Sequence, residues 1–91
     1  MTSEREVRIE NRNGLHARPA AEIVKAASRF KSEVTIRRDD MEVNGKSIMG
    51  VMMLAAEYGT TLWVCAKGDD AQQAVDALAA LVAGKFGEKD A

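Results

Sequence analysis

Val34-Thr35-Ile36-Arg37-Arg38-Asp39-Asp40-Met41-Glu42-Val43-Asn44 sets Val34 and Ile36, then Met41 and Val43, in alternation with polar residues on either side of an Asp pair. A period of two sends successive side chains to opposite faces of a strand, and Asp favours turns, so the run predicts a β-hairpin, with Asn44-Gly45 closing it. Upstream, Ala20, Ile23, Val24, Ala27 and Phe30 trace one face of a helix. Before that helix, Asn11-Arg12-Asn13-Gly14 reads as a turn, and Val7 and Ile9 alternate with Glu6, Arg8 and Glu10 as a first strand. Downstream, Ser47 stands as an N-cap ahead of the apolar run Ile48 to Leu54, which predicts a short second helix. Leu62, Val64 and Ala66 then alternate with Thr61, Trp63, Cys65 and Lys67 as a fourth strand. Asp69 and Asp70 offer carboxylate caps to a third helix with the stripe Ala71, Ala74, Val75, Leu78, Leu81 and Val82, stopped by Gly84.

The order β-α-β-β-α-β-α, with every strand alternating, predicts an α+β fold: an antiparallel sheet with helices on one face and water on the other. Trp63 and Cys65 are expected on that open face, where small or polar residues are more usual. A length of 91 residues suits one domain, 1–91, with 88–91 expected to be a loose tail. An apolar fraction of 46% and interspersed charges at 30% argue for a folded chain.

The formal charge of −1 and aromatic content of 4% argue against nucleic acid as a partner. One cysteine excludes an internal disulfide, and one histidine with it is too few for the common zinc sites, so no metal is expected. No apolar run approaches the ~18 residues of a membrane span, and Met1-Thr2-Ser3-Glu4-Arg5-Glu6 lacks the apolar core of a signal peptide. A cytoplasmic protein without a membrane partner is the expectation.

Two constellations carry chemistry. Gly14-Leu15-His16-Ala17-Arg18-Pro19 lies where a loop becomes a helix. Unpaired N–H groups and partial positive charge at a helix N-terminus favour an anion held on His16, and Arg18 adds a guanidinium for phosphate oxygens. Both also favour an uncharged imidazole, the form able to attack phosphorus. Pro19 is tolerated in the first turn, but it disfavours helical geometry at Arg18, so a start as late as Pro19 is allowed. In the second constellation, Gly45-Lys46-Ser47-Ile48-Met49-Gly50, the apolar residues from Ile48 to Leu54 are too many for one face. With Val51, Leu54 and Ala55 turned to the core, Ile48, Met49 and Met52 point outward, and methionine suits a surface that meets several partners.

The pairing of G-L-H-A-R-P-A, beginning at Gly14, with K-S-I-M-G-V-M-M-L, beginning at Lys46, resembles the HPr family, the histidine-containing phosphocarriers of the bacterial phosphoenolpyruvate-dependent phosphotransferase system. The resemblance runs from Val7 to about Val82. It implies an open-faced β-sandwich of strand order 1-4-2-3 with three helices on one face. It implies that His16 accepts a phosphoryl group on Nδ1 from enzyme I and passes it to enzyme IIA domains, with Arg18 as the active-site arginine and Ser47 as a regulatory phosphorylation site. Leu15, Ala17 and Ala20 join Ile48, Met49 and Met52 as expected partner-binding residues. HPr kinase/phosphorylase and a transcriptional regulator are further candidate partners. A carrier of this kind has no cofactor and no turnover of its own, and a monomer is expected. Sugar uptake and the related nitrogen branch both keep the histidine, whereas a related regulator without it is excluded by His16. The rival reading is a regulatory protein-binding module working through Ile48, Met49 and Met52.

Overall fold

The computed structural model describes residues 1–88, and it contains the hairpin as β2 (Glu33–Arg38) and β3 (Met41–Asn44), turned at Asp39-Asp40. Ile36 pairs with Val43 and Thr35 with Asn44. The other elements are β1 (Thr2–Arg8), α1 (Ala17–Ser28), α2 (Ile48–Met53), β4 (Thr61–Lys67) and α3 (Ala71–Ala83), with a short 3-10 turn at Lys85–Gly87. All ladder pairs are antiparallel and the order is β1-β4-β2-β3, as the resemblance implied.

β4, one of the two inner strands, carries the most regular alternation. Leu62, Val64 and Ala66 are buried, while Trp63 and Cys65 look out through the open face, half-covered. There Trp63 lies between Glu6 of β1 and Arg37 of β2, with the Arg37 guanidinium 5.6 Å from the ring centroid. The covered face packs Val7, Val34, Ile36 and the inward residues of β4 against Ile23 of α1, Val51 of α2 and Val75 and Leu78 of α3, all in one core. At about 1.5–3 kcal/mol for each large apolar side chain fully buried, this layer is the main source of stability.

Local differences from the sequence expectations have identifiable causes. Ile9 lies just beyond β1, yet it is buried and still exchanges hydrogen bonds with the turn before β4: Ile9 N to Thr60 O at 2.9 Å and Gly59 N to Ile9 O at 2.8 Å. Helix α1 starts at Ala17, ahead of Pro19, because burying Pro19 and Ala20 outweighs the steric preference at Arg18. In α3, Ala79 is fully part of the core and Leu81 only borders it. Ala55 is exposed and takes a left-handed φ of 49°, and Ala56 is buried in its place, since the chain must turn sharply on leaving α2. The tail expectation fails at Glu88, whose carboxylate is bound by Asn11, His16 and Arg18; the remainder, 89–91, lies outside the described residues.

Asp70 stands at the N-cap of α3, but its carboxylate does not cap that helix. It accepts from Lys31 N and Ser32 N, each at 2.9 Å, and from Ser32 Oγ, tying the α1–β2 loop to the start of α3. The Ser32 hydroxyl first, then the Lys31 N–H, hold the Asp70 carboxyl below the ordinary aspartate value. A carboxyl depressed by folding contributes stability that is present above its unfolded pKa and is lost as pH falls through its folded one. Asp70→Asn is therefore expected to lower Tm by several degrees at pH 7, with the gap from wild type closing as pH falls below about 4. Thermal unfolding of both proteins from pH 7 to pH 2.5 checks this, and a gap independent of pH contradicts it.

Candidate functional site

The loop before α1 is shaped by one close approach. Gly14 has φ 66°, and a Cβ placed on it would stand 2.5 Å from the Ala56 carbonyl oxygen. Only glycine combines that backbone with that proximity. Leu15 N then donates to Ala56 O at 2.8 Å and Leu15 buries its side chain, so the next residue, His16, emerges toward solvent. His16 is the N-cap of α1 in extended geometry, its carbonyl accepting from Ala20 N at 3.0 Å and its side chain making no cap bond. The imidazole is thereby free for other contacts.

Its partner is Glu88. His16 Nε2 lies 2.8 Å from Glu88 Oε2, and Arg18 NH2 lies 3.2 Å from the same oxygen. Arg18 also donates to the Phe86 carbonyl at 3.3 Å. The other carboxylate oxygen accepts from Asn11 Nδ2 at 2.8 Å, and Asn11 in turn donates to Gly14 O at 2.9 Å. Partial burial raises the Glu88 carboxyl pKa, but the Asn11 hydrogen bond and the contacts with His16 and Arg18 outweigh it and hold it below the ordinary value. An ionised Glu88 is an acceptor, so a neutral His16 donates from Nε2 and keeps its lone pair on Nδ1. An imidazole, a carboxylate and a guanidinium are thus brought together on one oxygen of Glu88.

Glu88, Phe86 and Asn11 are the members that sequence reasoning missed. Gly87, at φ 74°, and the left-handed Lys85 and Phe86 bend the chain after α3 so that Phe86 enters the core and Glu88 reaches His16. The glycines Gly84 and Gly87 around Lys85-Phe86 were the available signal for a built turn. The partner-binding expectation also changes: Leu15 and Ala20 are buried in the core and present no surface, while Ala17 is exposed.

Ser47 caps α2 as expected, its Oγ accepting from Gly50 N at 3.1 Å. Ile48, Met49 and Met52 are exposed, and so is Met53 at 64%, which widens the apolar surface. Helix α2 packs beside α1, and its exit at Ala56 receives the Leu15 N–H, so this surface adjoins the histidine loop. Among the described residues no group of His, Cys, Asp and Glu is arranged to hold a metal ion, and no helix is long and apolar enough to cross a membrane.

An open-faced sandwich displaying one histidine at a helix N-cap, with an arginine in the first turn and an apolar helix alongside, defines a class of small histidine-presenting domains. The sequence profile described as the PTS HPr component phosphorylation site matches residues 3–84. Phosphocarrier protein HPr of Cupriavidus necator is 48% identical over 85 residues, which are 93% of this chain and 96% of that protein. The crystal structure of HPr from Thermoanaerobacter tengcongensis is similar with a TM-score of 0.92 at 45% identity, covering 96% of this chain and 98% of that one. Bacillus subtilis Crh, whose crystal structure is described as a dimer with a swapped domain, is similar with a TM-score of 0.74 at 46% identity over 87% of this chain and 91% of that one. The chain belongs to the HPr family of the phosphotransferase system. HPr is a phosphocarrier and not a catalytic enzyme by itself.

The Glu88 contact has a spectroscopic consequence. In long-range nitrogen-proton NMR spectra above the imidazole titration, wild type should show His16 protonated almost wholly on Nε2. Glu88→Ala should increase the Nδ1-protonated share while leaving amide signals of the sheet in place. An unchanged tautomer ratio would remove Glu88 from any orienting role.

Proposed function

We propose that His16 is the phosphoryl acceptor and that the chain relays the group from enzyme I to enzyme IIA domains in the bacterial cytoplasm. The observation that carries this reading is the pairing of His16 Nε2 with Glu88, which leaves Nδ1 as the nucleophile at the start of α1 beside Arg18. In transfer, the Nδ1 lone pair forms the new N–P bond as the bond between phosphorus and the donor atom on enzyme I breaks, the electron pair returning to that donor. The second transfer reverses these roles toward the acceptor. Arg18 exchanges Glu88 for phosphoryl oxygens, since a guanidinium binds a phosphoryl group in fork geometry and its net charge favours the more highly charged anion. A monomer suits this relay, because each partner in turn must cover the same face, although dimers are described for Crh of Bacillus subtilis and for HPr of Thermoanaerobacter tengcongensis. Sugar uptake and nitrogen regulation use the same chemistry at His16.

Ser47 is proposed as a regulatory phosphorylation site for an HPr kinase/phosphorylase, with a transcriptional regulator as a partner of the modified form. A phosphoserine adds about 1.5 to 2 negative charges. At the N-cap that charge is favoured by the helix dipole, so α2 persists, while the apolar surface around Ile48, Met49 and Met52 acquires a charge that a docking partner must desolvate.

His16→Ala is expected to fold as wild type does and to take up no acid-labile phosphate from enzyme I and phosphoenolpyruvate. Arg18→Ala should cost under about 1 kcal/mol of stability, as exposed ion pairs do, yet slow transfer on the order of 100-fold. Phosphorus NMR and stopped transfer assays check both. Full labelling of His16→Ala refutes the assignment and leaves the protein-binding module as the better reading.

Substitutions on α2 separate docking from chemistry. Met49→Glu should raise the apparent KM for enzyme I about tenfold with kcat nearly unchanged, because it alters binding and not the reacting atoms. Ser47→Asp should slow phosphorylation while its amide spectrum differs from wild type only around α2. Wild-type kinetics for both variants, and for the authentic phosphoserine form, would confine Ser47 and Met49 to structural roles.

A further inference from the structure

We infer that Arg38 is a positioning residue for phosphoryl transfer, acting through the exit of α2 on the loop that presents His16. The inference rests on the phosphocarrier reading above and adds a control point outside the histidine site. Arg38 is the last residue of β2 and is half-buried. Its NH1 donates to two successive carbonyls, Leu54 O at 2.9 Å and Ala55 O at 2.8 Å. Leu54 is the C-cap of α2, where carbonyls lack helical partners and carry partial negative charge. A guanidinium satisfies both needs at once.

The clamp sits on a strained residue. Ala55 has φ 49°, a region that side chains other than glycine occupy only when their surroundings hold them there. Arg38 grips the peptide groups on both sides of the Ala55 Cα, through Leu54 O before it and Ala55 O after it. The next carbonyl, Ala56 O, accepts from Leu15 N at 2.8 Å and leaves no room for a Cβ on Gly14. His16 follows Leu15 directly. Arg38, the strained turn, the Ala56 carbonyl and the histidine loop therefore form one short chain of contacts in which each link sets the next. The same clamp also fixes the end of α2, and with it the outward aim of Met52 and Met53.

A residue that merely stabilised the fold would affect transfer only by reducing the folded fraction. A positioning residue alters docking and loop geometry in a fully folded protein, and relieving the strain it holds lessens the need for it. The test uses the full chain with Arg38→Met, which keeps the stem and removes the donors, Arg38→Lys, which keeps charge without the planar fork, Ala55→Gly, and the double variant Arg38→Met with Ala55→Gly. Kinetics with enzyme I and phosphoenolpyruvate are measured well below every Tm, alongside direct phosphorylation by phosphoramidate, a small donor that needs no docking surface. Leu78→Ala serves as a destabilised control remote from the loop.

Arg38→Met is expected to shift amide signals at Leu54–Ala56 and Gly14–His16, and to raise KM for enzyme I about tenfold. Phosphoramidate labelling should fall less. Arg38→Lys should be intermediate, and stands in for Arg38→Met should the latter fail to fold. The double variant should recover part of the loss because glycine adopts the turn without a clamp. Wild-type kinetics in a folded Arg38→Met or Arg38→Lys, or an equal loss in Leu78→Ala, overturns the inference. A wild-type chain that enzyme I leaves unlabelled overturns the phosphocarrier reading itself, and with it any part for Arg38 in transfer.

Discussion

The histidine is presented only because the Gly14 backbone can press against the Ala56 carbonyl. With a side chain at Gly14, the Cβ would sit 2.5 Å from that oxygen, and the Leu15 N–H could not approach it in the same geometry. From this contact follow the burial of Leu15, the extended backbone of His16 and the start of α1 at Ala17. It also joins two segments far apart in sequence, tying the loop bearing the histidine to the exit of the helix bearing the methionines. A hydrogen bond of this kind contributes only about 0.5–1.5 kcal/mol net. Its importance is geometric.

Helix α2 shows how a folded protein can leave an apolar face uncovered. Six residues are too few for a helix to persist in water on propensity alone, and only Val51 within it is buried. Polar contacts at its two ends hold it instead. At the start, Ser47 caps Gly50 N and Lys46 Nζ donates to Phe30 O at 2.8 Å, tying the helix to the end of α1. At the finish, Arg38 takes the carbonyls of Leu54 and Ala55. Because placement comes from the ends, Ile48, Met49, Met52 and Met53 are not needed for packing and stay available at the surface.

What the sequence made legible was local. The alternation in β2 and β4, the stripe of α3, the Ser47 cap and the stop at Gly84 each depend on neighbours a few residues away, and each recurs in the structure. β3 forms without its expected alternation, Met41 being exposed and Val43 only bordering the core. Asp70 was misread because its position fits a helix cap, whereas its carboxylate serves Lys31 and Ser32 across a long loop closure. Leu15 and Ala20 flank an exposed histidine in the chain yet point inward, since helix and loop geometry decide which side a residue faces. Glu88 lies a whole domain away from His16 in sequence, and no periodicity records a contact made by closing the chain on itself. The motif around His16 therefore marked the histidine proposed as the acceptor but not the carboxylate that its imidazole contacts.

That carboxylate bears on what a carrier must do. On the proposed function, the site must hold a phosphoryl group long enough to travel and release it to the next partner, so excessive stabilisation would trap it. At rest, one Glu88 oxygen is shared by His16 and Arg18, neutralising the guanidinium before any phosphate arrives. Arrival of a phosphoryl group places new negative charge beside this carboxylate and forces a competition for Arg18. The attraction of Arg18 for the phosphoryl oxygens is then offset by the lost Glu88 contact and by repulsion between the two anions. Binding at His16 is thereby moderated without weakening the nucleophile, whose lone pair on Nδ1 is set by the same carboxylate. On that proposal a single acceptor, placed by the left-handed turn after α3, both prepares the imidazole for attack and keeps the phosphorylated state from becoming too stable to pass on.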